Sequence, residues 1–304
     1  MFDCIVIGGG PAGMAASVYL ARQKLNFAMF AGSLGGQVVW SSDVENYLGI
    51  HQISGIKLVE TFNKHLEDYR EAMELHEGEK VKRVTKTKGG FSVETERGAY
   101  PTRTVLIATG ADHRKLGVPG EDEYTMKGIS YCATCDAPLF ANKVVHIVGG
   151  GNSAMDAALF AAKYAKEVHL VTINAELMGD EVMKQRCLSQ ANVQVHVSTK
   201  TVGFAGRAML ESIILAGADG KEQEVPTEGV FIEIGLMPQS EMIDFAAKDK
   251  SGQIIIDSHN RTNVDGVWAA GDVTSVAFKQ IAVAVGEGSK AALDIIRYLQ
   301  STQA

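Results

Sequence analysis

Cysteine is scarce in this chain: four occur in 304 residues, Cys4, Cys132, Cys135 and Cys187. Such sparse usage excludes a disulfide-stapled scaffold and points to chemistry at the one close pair, Cys132 and Cys135. Basic runs are absent and the formal net charge is -7, which makes nucleic acid and anionic membrane surfaces poor partners. Plain solubility accounts for that charge. The opening stretch MFDCIVIGGGPAGMAASVYLARQ has no basic leader, carries Asp3 and breaks its apolar run at a glycine triplet. It reads as neither a signal peptide nor a membrane span, so the expected location is cytoplasmic. No low-complexity linker interrupts the sequence, and the eight histidines show no zinc-knuckle spacing.

What is present is ample apolar material, 46% of the chain, over a length that suits two domains of ordinary size. CIVIGGG reads as a strand running into a turn, PAGMAASVYLARQ as a helix with small residues on its inner face, and LNFAMFAG as a second strand. The plan recurs about 140 residues later: KVVHIVGGG, NSAMDAALFAAKYAKE and VHLVTI read as strand, helix and strand. One βαβ nucleotide-binding unit is used twice. GIKLVETFNKHLEDYREAMEL reads as a helix between the two units. VQVHVS, SIILAG and VFIEIG read as short strands of a small sheet, and a long helical pattern runs from about Lys279 to Leu299. Polar segments near His113–Leu116 and Met237–Glu241 are the candidate crossings between domains. The expected fold is α/β, with two Rossmann-like domains: residues 115–240 form one, inserted in another made of 1–114 and 241–304.

Gly8, Gly10 and Gly13 match G-x-G-x-x-G after a strand and at the opening of a helix. Gly8 allows the tight turn, Gly10 lets a pyrophosphate approach the backbone and Gly13 lets the helix pack on the strand. The helix start then offers free N–H groups to phosphates. A packing role alone is the plainer alternative. The acid expected some twenty residues on is missing, because the second strand ends Phe30-Ala31-Gly32. Asp272, in AAGDV, is a candidate for binding a polyol; equally, Gly271-Asp272 is a turn and helix cap.

The second turn, Gly149, Gly151 and Ala154, is followed by Asn152 or Ser153 as helix caps. At the end of the next strand, Thr172 stands where an acid would favour NAD or arginines would favour a 2′-phosphate. Arg186 is the nearest arginine downstream, so NADH is favoured over NADPH.

Cys132 and Cys135 supply two of the roughly four ligands a structural zinc needs, and no second C-x-x-C completes them. A passive disulfide gains little by closing so short a loop. Reversible thiol–disulfide exchange remains. Asp136, directly after the pair, reads as a proton donor or acceptor, or alternatively as a surface residue capping the loop. Cys4 and Cys187 read as buried spacers.

GGGPAG, GGQ (Gly35–Gln37), ENY (Glu45–Tyr47), ATG (Ala108–Gly110), CATCD, GGGNSA, GLMPQS and AAGDV occur in the order seen in low-molecular-weight thioredoxin reductases. The chain resembles that family nearly from end to end. VPGEDEY, KGISYC, QIIIDSHNRTNVDGVWAAGD and KQIAVAVGEGSKAALD look closer still to the flavoprotein subunit of alkyl hydroperoxide reductase, which carries an additional N-terminal thioredoxin-like region. A free-standing reductase with a separate partner is therefore expected. The resemblance implies three-layer ββα domains, a homodimer, one FAD per subunit and a nicotinamide nucleotide on the middle domain. The FAD contacts it implies are Gly8, Gly10, Pro11, Ala12 and Gly13; Gly35, Gly36, Gln37 and Asn46; Thr109 and Gly110; Gly271 and Asp272; and Lys279, Gln280 and Ile281. Gly149, Gly151, Asn152, Ser153, Ala154 and Thr172 would hold the nicotinamide nucleotide. Cys135 would face the flavin, Cys132 would exchange with a partner's disulfide, and Asp136 would serve proton transfer. The family alternates two arrangements about its hinge, and the same gating is expected here.

The implied activity is reduction of a thioredoxin-like protein. Three alternatives stand beside it: a peroxiredoxin-system reductase acting through a glutaredoxin-like carrier, a ferredoxin-linked reductase, and a non-catalytic flavin-binding sensor. One departure matters. The family's paired arginines, HRR and a later Arg, are replaced by Val171-Thr172-Ile173 and Leu177, and the hydroperoxide-reductase relatives have an acid where Thr172 stands.

Overall fold

The structure, a computed structural model, describes residues 1–41 and 44–302. By internal contacts the chain divides into two units. One comprises Met1–Trp40, Asn46–Asp112 and Met237–Ala304, and the other Ser41–Glu45 and His113–Leu236.

In chain order the first elements are β1 (Phe2–Ile7), α1 (Pro11–Arg22), β2 (Phe27–Ala31), α2 (Gly55–Glu67), β3 (Glu74–Glu77), β4 (Arg83–Thr87), β5 (Gly90–Glu94), β6 (Ala99–Ile107) and β7 (Ala111–His113). Then come α3 (Glu121–Tyr124), β8 (Ile129–Ser130), α4 (Ala133–Asp136), β9 (Val144–Val148), α5 (Asn152–Ala161), β10 (Glu167–Val171), α6 (Glu181–Ser189) and β11 (Val193–His196). β12 (Lys200–Gly206), β13 (Leu210–Ala216), β14 (Glu222–Pro226), β15 (Gly229–Ile232), β16 (Leu236–Pro238), β17 (Val267–Ala269) and α7 (Ile281–Ser301) complete the order.

In the first unit β3-β2-β1-β6 run parallel, with β17 parallel to the end of β6 and the β4-β5 hairpin antiparallel to its start. β1 and β2 are buried on both faces, so they read as unbroken apolar runs rather than alternating ones. Cys4, Val6, Phe27 and Met29 face α1 and α7, while Ile5, Ile7, Ala28 and Phe30 face the hairpin side. This is the three-layer α/β arrangement expected. Pro11 opens α1 at a position whose N–H has no helical partner to lose. Ser54 caps α2 by accepting the Lys57 amide at 3.4 Å.

In the second unit β11-β10-β9-β15-β8 form a parallel sheet. Val145, Ile147, Leu170 and Phe231 face α5 on one side. Val148, Val171, Val230 and Ile232 face Phe204, Ile213 and Leu215 on the other, the last three from the antiparallel β12-β13-β14 sheet.

Two expectations change. The helix from Gly55 does not reach Leu75: it ends at Glu67, and Glu74–Glu77 pairs as β3 with β2, Leu75 opposite Met29. Strand pairing over an apolar core overrides the local helical pattern there. VQVHVS and VFIEIG do not join a small sheet either. They supply β11 and β15 to the parallel one, and of the three segments only SIILAG, in β13, lies in the antiparallel sheet.

The first glycine turn owes its position to the crossing of α1 and α7. A Cβ on Gly288 would lie 2.0 Å from the Ala12 carbonyl oxygen, so the two helix backbones touch. Ala16, Ala284 and Ala291 keep the rest of the contact narrow. Gly288→Ala is expected to cost about 3 kcal/mol by overpacking, read as a lower urea midpoint, and to loosen the turn at the start of α1.

Candidate functional site

At the carboxyl end of the first unit's sheet, the backbone leaves no room for side chains at Gly8, Gly9 and Gly13 of the glycine turn. A Cβ on Gly8 would stand 2.1 Å from the Ala108 carbonyl oxygen, and one on Gly13 would stand 2.0 Å from that of Gly8. Gly8 also holds φ at 121°. Gly10 is different: no heavy atom lies within 4 Å of a Cβ there, so the turn opens onto free space at the start of α1.

The other residues expected around a flavin gather at the same end. Gly35 donates its N–H to the Gly9 carbonyl at 2.7 Å, which folds Gly35-Gly36-Gln37 over the turn. Thr109 donates to the Gln239 carbonyl and Gly110 accepts the Gln239 amide at 2.9 Å. A Cβ on Gly271 would lie 3.1 Å from the Ala12 Cβ. Glu287 on α7 takes the Gly271 amide at 2.9 Å, which places Asp272 beside the start of α1. Burial pushes the Asp272 carboxyl up, the Lys279 ammonium acts against that shift, and Glu287 adds to it. Lys279 is held by the Thr274 carbonyl at 2.6 Å, and Asn46 donates to the Gln280 side chain at 3.2 Å just before Ile281 opens α7.

The second unit repeats the turn. A Cβ on Gly149 would meet the Glu233 carbonyl oxygen at 2.3 Å, and one on Gly150 would meet Thr172 Oγ1 at 2.2 Å. Thr172, buried at the end of β10, also accepts the Asn174 amide at 3.2 Å. Neither Asn152 nor Ser153 caps α5. Gly151 is the N-cap and no side chain closes it, because Asn152 Oδ1 is taken by the Asp180 amide at 2.9 Å. Ala154 is wholly buried against the sheet.

Cys132 and Cys135 form a disulfide across the first turn of α4, with Cys132 as its N-cap residue. Asp136 is buried rather than a surface residue. Its Oδ2 accepts the Ser130 hydroxyl at 2.6 Å, and Ser130 Oγ in turn accepts the Cys132 amide at 3.0 Å. Glu121, also buried, accepts the amides of Leu116 and Gly117 and the Tyr131 hydroxyl at 2.9 Å. Ser130 and Glu121 escape a sequence reading. Ser130 stands two residues before the first cysteine, which is the only local sign of its part. The remaining cysteines are free and buried. Burial pushes the Cys4 thiol up to about 12 and the Cys187 thiol up to about 11, so neither supplies thiolate at neutral pH.

Residues 2–288 match the model of the pyridine nucleotide-disulphide oxidoreductases. The chain belongs to that family. A thioredoxin reductase structure from Streptococcus pyogenes superposes with a TM-score of 0.93 at 35% identity, covering 99% of both chains. One from Giardia duodenalis superposes at 0.91 with 31% identity, covering 98% of this chain and 99% of its own. Among curated proteins, the NADH dehydrogenase of Bacillus subtilis is 38% identical over 302 residues, 98% of this chain. The F component of the alkyl hydroperoxide reductase of Xanthomonas campestris is 38% identical over 308 residues, 100% of this chain. This chain spans 58% of the length of each of these two relatives. The resemblance read from the motifs is thus borne out at the level of family and fold. No helix among the described residues is long and apolar enough to cross a membrane.

The three glycines of the first turn make separable demands. Gly10→Ala fills open space at an allowed backbone conformation, so the unfolding midpoint is expected to hold within about 0.5 kcal/mol. Flavin retention on gel filtration should weaken about tenfold, because the methyl blocks close approach to the backbone. Gly13→Ala should lower both. Equal flavin retention in Gly10→Ala and the parent protein would show that no pyrophosphate lies against this turn.

Proposed function

We propose that this oxidoreductase is an FAD-dependent disulfide reductase. It takes electrons from NAD(P)H, with NADH favoured, and passes them through Cys132 and Cys135 to the disulfide of a thioredoxin-like protein. The observation that carries the reading is the Cys132–Cys135 disulfide held at the start of α4, in the same unit as the second glycine turn.

The residues of the first unit fit FAD: an open backbone cradle at Gly10, the free amides that start α1, and a carboxyl at Asp272 whose burial raises its pKa. Pro11, Ala12 and Gly13 would present the cradle to the pyrophosphate, Asp272 would accept hydrogen bonds from the ribityl hydroxyls, and Lys279, Gln280 and Ile281 would line the start of α7 beside the ring. Bound there, FAD supplies the carrier that accepts a hydride and yields an electron pair.

The chain's own residues do the rest. Gly149, Gly151 and the open start of α5 receive the dinucleotide phosphates. Thr172, neutral and buried, suits an unphosphorylated ribose, and no arginine stands between Val168 and Gln185 to meet a 2′-phosphate. Cys135 receives the electron pair as the S–S bond opens. Cys132, as thiolate, then attacks the partner's disulfide, forming a mixed disulfide that Cys135 resolves. Asp136, tied through Ser130 to the backbone of Cys132, holds or returns the proton.

A second reading has an observation of its own. Because the alkyl hydroperoxide reductase relative from Xanthomonas campestris matches the whole of this chain, a peroxiredoxin system fed through a glutaredoxin-like carrier is the leading alternative partner.

Cys132→Ser is expected to leave NADH able to bleach the flavin absorbance without oxygen while abolishing reduction of a protein disulfide. Full turnover in that variant would overturn the relay. Steady-state kinetics should give a KM at least about tenfold lower for NADH than for NADPH. The reverse preference would mean that a cationic side chain elsewhere reaches the 2′-phosphate.

A further inference from the structure

The first glycine turn lacks the acid that a dinucleotide ribose ordinarily meets at the end of the second strand. β2 ends at Ala31, and Gly32 and Ser33 follow. This segment stands against the turn: a Cβ on Gly9 would lie 2.8 Å from the Ala31 Cβ and 2.3 Å from the Ser33 carbonyl oxygen. The second unit brings a hydroxyl to the matching place, where a Cβ on Gly150 would meet Thr172 Oγ1. Ala31 offers only a methyl group. What fills the gap comes from beyond β3. The stem of Lys80 lies across Gly32, with its Cγ 3.2 Å, its Cδ 3.7 Å and its Cε 3.0 Å from where a Cβ on Gly32 would stand. A side chain at position 32 would have to push this stem aside. The backbone that carries Lys80 is fixed. Glu79 donates its amide to the Ala31 carbonyl at 3.3 Å, and its buried carboxylate accepts the Tyr100 hydroxyl at 3.1 Å and lies 3.0 Å from His76 Nδ1. Two residues on, the Lys82 amide donates to the Glu94 carbonyl at 2.8 Å. Lys80 itself is exposed, and among the described residues its ammonium has no hydrogen bond or ion pair. One bond beyond Cε, that free cation stands over the strand end, beside the turn.

We infer that Lys80 holds the adenosine half of FAD, donating hydrogen bonds to the ribose hydroxyl oxygens from the place where other dinucleotide turns present an acid. The inference rests on the FAD-dependent reading. An acid accepts from the ribose and repels the neighbouring diphosphate. A lysine donates to the ribose and attracts the diphosphate. The exchange therefore changes the character of the grip: part of it becomes charge attraction, which salt screens. The stem already rests on Gly32, so less side-chain freedom is lost when the cofactor arrives. Gly32 has its own part in this, because the absence of a side chain there is what lets the stem lie across the strand end.

The test is cofactor release, not turnover. The flavin-loaded protein is diluted in series at low and at high salt, and the FAD set free is read by its fluorescence. Lys80→Met keeps a stem over Gly32 and removes the charge, whereas Lys80→Arg keeps the charge. At low salt Lys80→Met should raise the dissociation constant for FAD about tenfold. Lys80→Arg should stay close to the parent protein, and the salt dependence of the parent should shrink in Lys80→Met. Bound flavin should show the same absorption spectrum in all three, because the contact is with the adenosine half. Equal dissociation constants and equal salt dependence in Lys80→Met and the parent protein would overturn the inference and leave Lys80 a solvated surface cation. A shifted flavin spectrum in Lys80→Met would overturn it too, by placing the ammonium at the ring. So would a lowered urea midpoint in Lys80→Met, which would make the loss a matter of folding. A parent protein that cannot take up FAD at all would refute the FAD reading and this inference with it, whereas the other outcomes bear on Lys80 alone.

Discussion

Backbone-to-backbone contact at the two glycine turns is the constraint on which both units rest. Each unit brings a helix start so close to its central strands that a Cβ at Gly8, Gly13 or Gly149 would fall within 2.3 Å of a carbonyl oxygen. A methyl group at such a site must move backbone rather than a flexible side chain. The helix start, with its unpaired amides, is thereby fixed at the sheet's carboxyl end. In the first unit the same economy of size extends to α7, where Gly288 lies against Ala12. Gly271 closes on Ala12 as well, so the segment bearing Asp272 is placed by the helix crossing rather than by its own turn.

Much of this was legible in the residues because close packing demands glycine and alanine at fixed offsets, and parallel strands demand unbroken apolar runs. CIVI, FAMFA and VVHIV therefore announce buried strands, and the small residues of α1 and α5 announce helices laid against a sheet. Sequence pattern failed where pairing decided the outcome. Residues 74–77 look helical by composition and become β3 because β2 offers an open edge beside them. VQVHVS and VFIEIG carry no mark of which sheet they join, and only their registers with β10 and β9 assign them to the parallel one.

The candidate site divides in the same way. Cys132, Cys135, Asp136 and both turns stand out as local motifs, since the chemistry needs neighbours in sequence. Ser130 stands two residues before Cys132, whereas Glu121 reaches the Tyr131 hydroxyl beside the pair only through folding, and no spacing reveals it. The histidines behave likewise: His146, His169 and His196 come from three strands, with His169 Nδ1 2.9 Å from His196 Nε2 and stacked rings. Burial pushes His146 down to about 3 and pushes His169 and His196 down as well, against the pull of Glu167 on the latter two, and nothing in the linear order shows this row.

The carboxyls around the Cys132/Cys135 loop account for how its backbone is held better than the sulfur bond does. A bridge across so few residues contributes little chain entropy, so the disulfide cannot be what holds the loop in place. The loop is held instead from two directions. Glu121 ties the amides of Leu116 and Gly117 and the Tyr131 hydroxyl, and Asp136 holds the Cys132 amide through Ser130. Because none of these bonds involves sulfur, all of them survive when the bridge opens. The anchoring of the loop's backbone is therefore independent of the sulfur bond. A loop anchored this way suits a bond that must break and re-form repeatedly, whereas a bridge that stabilised the fold would oppose its own reduction.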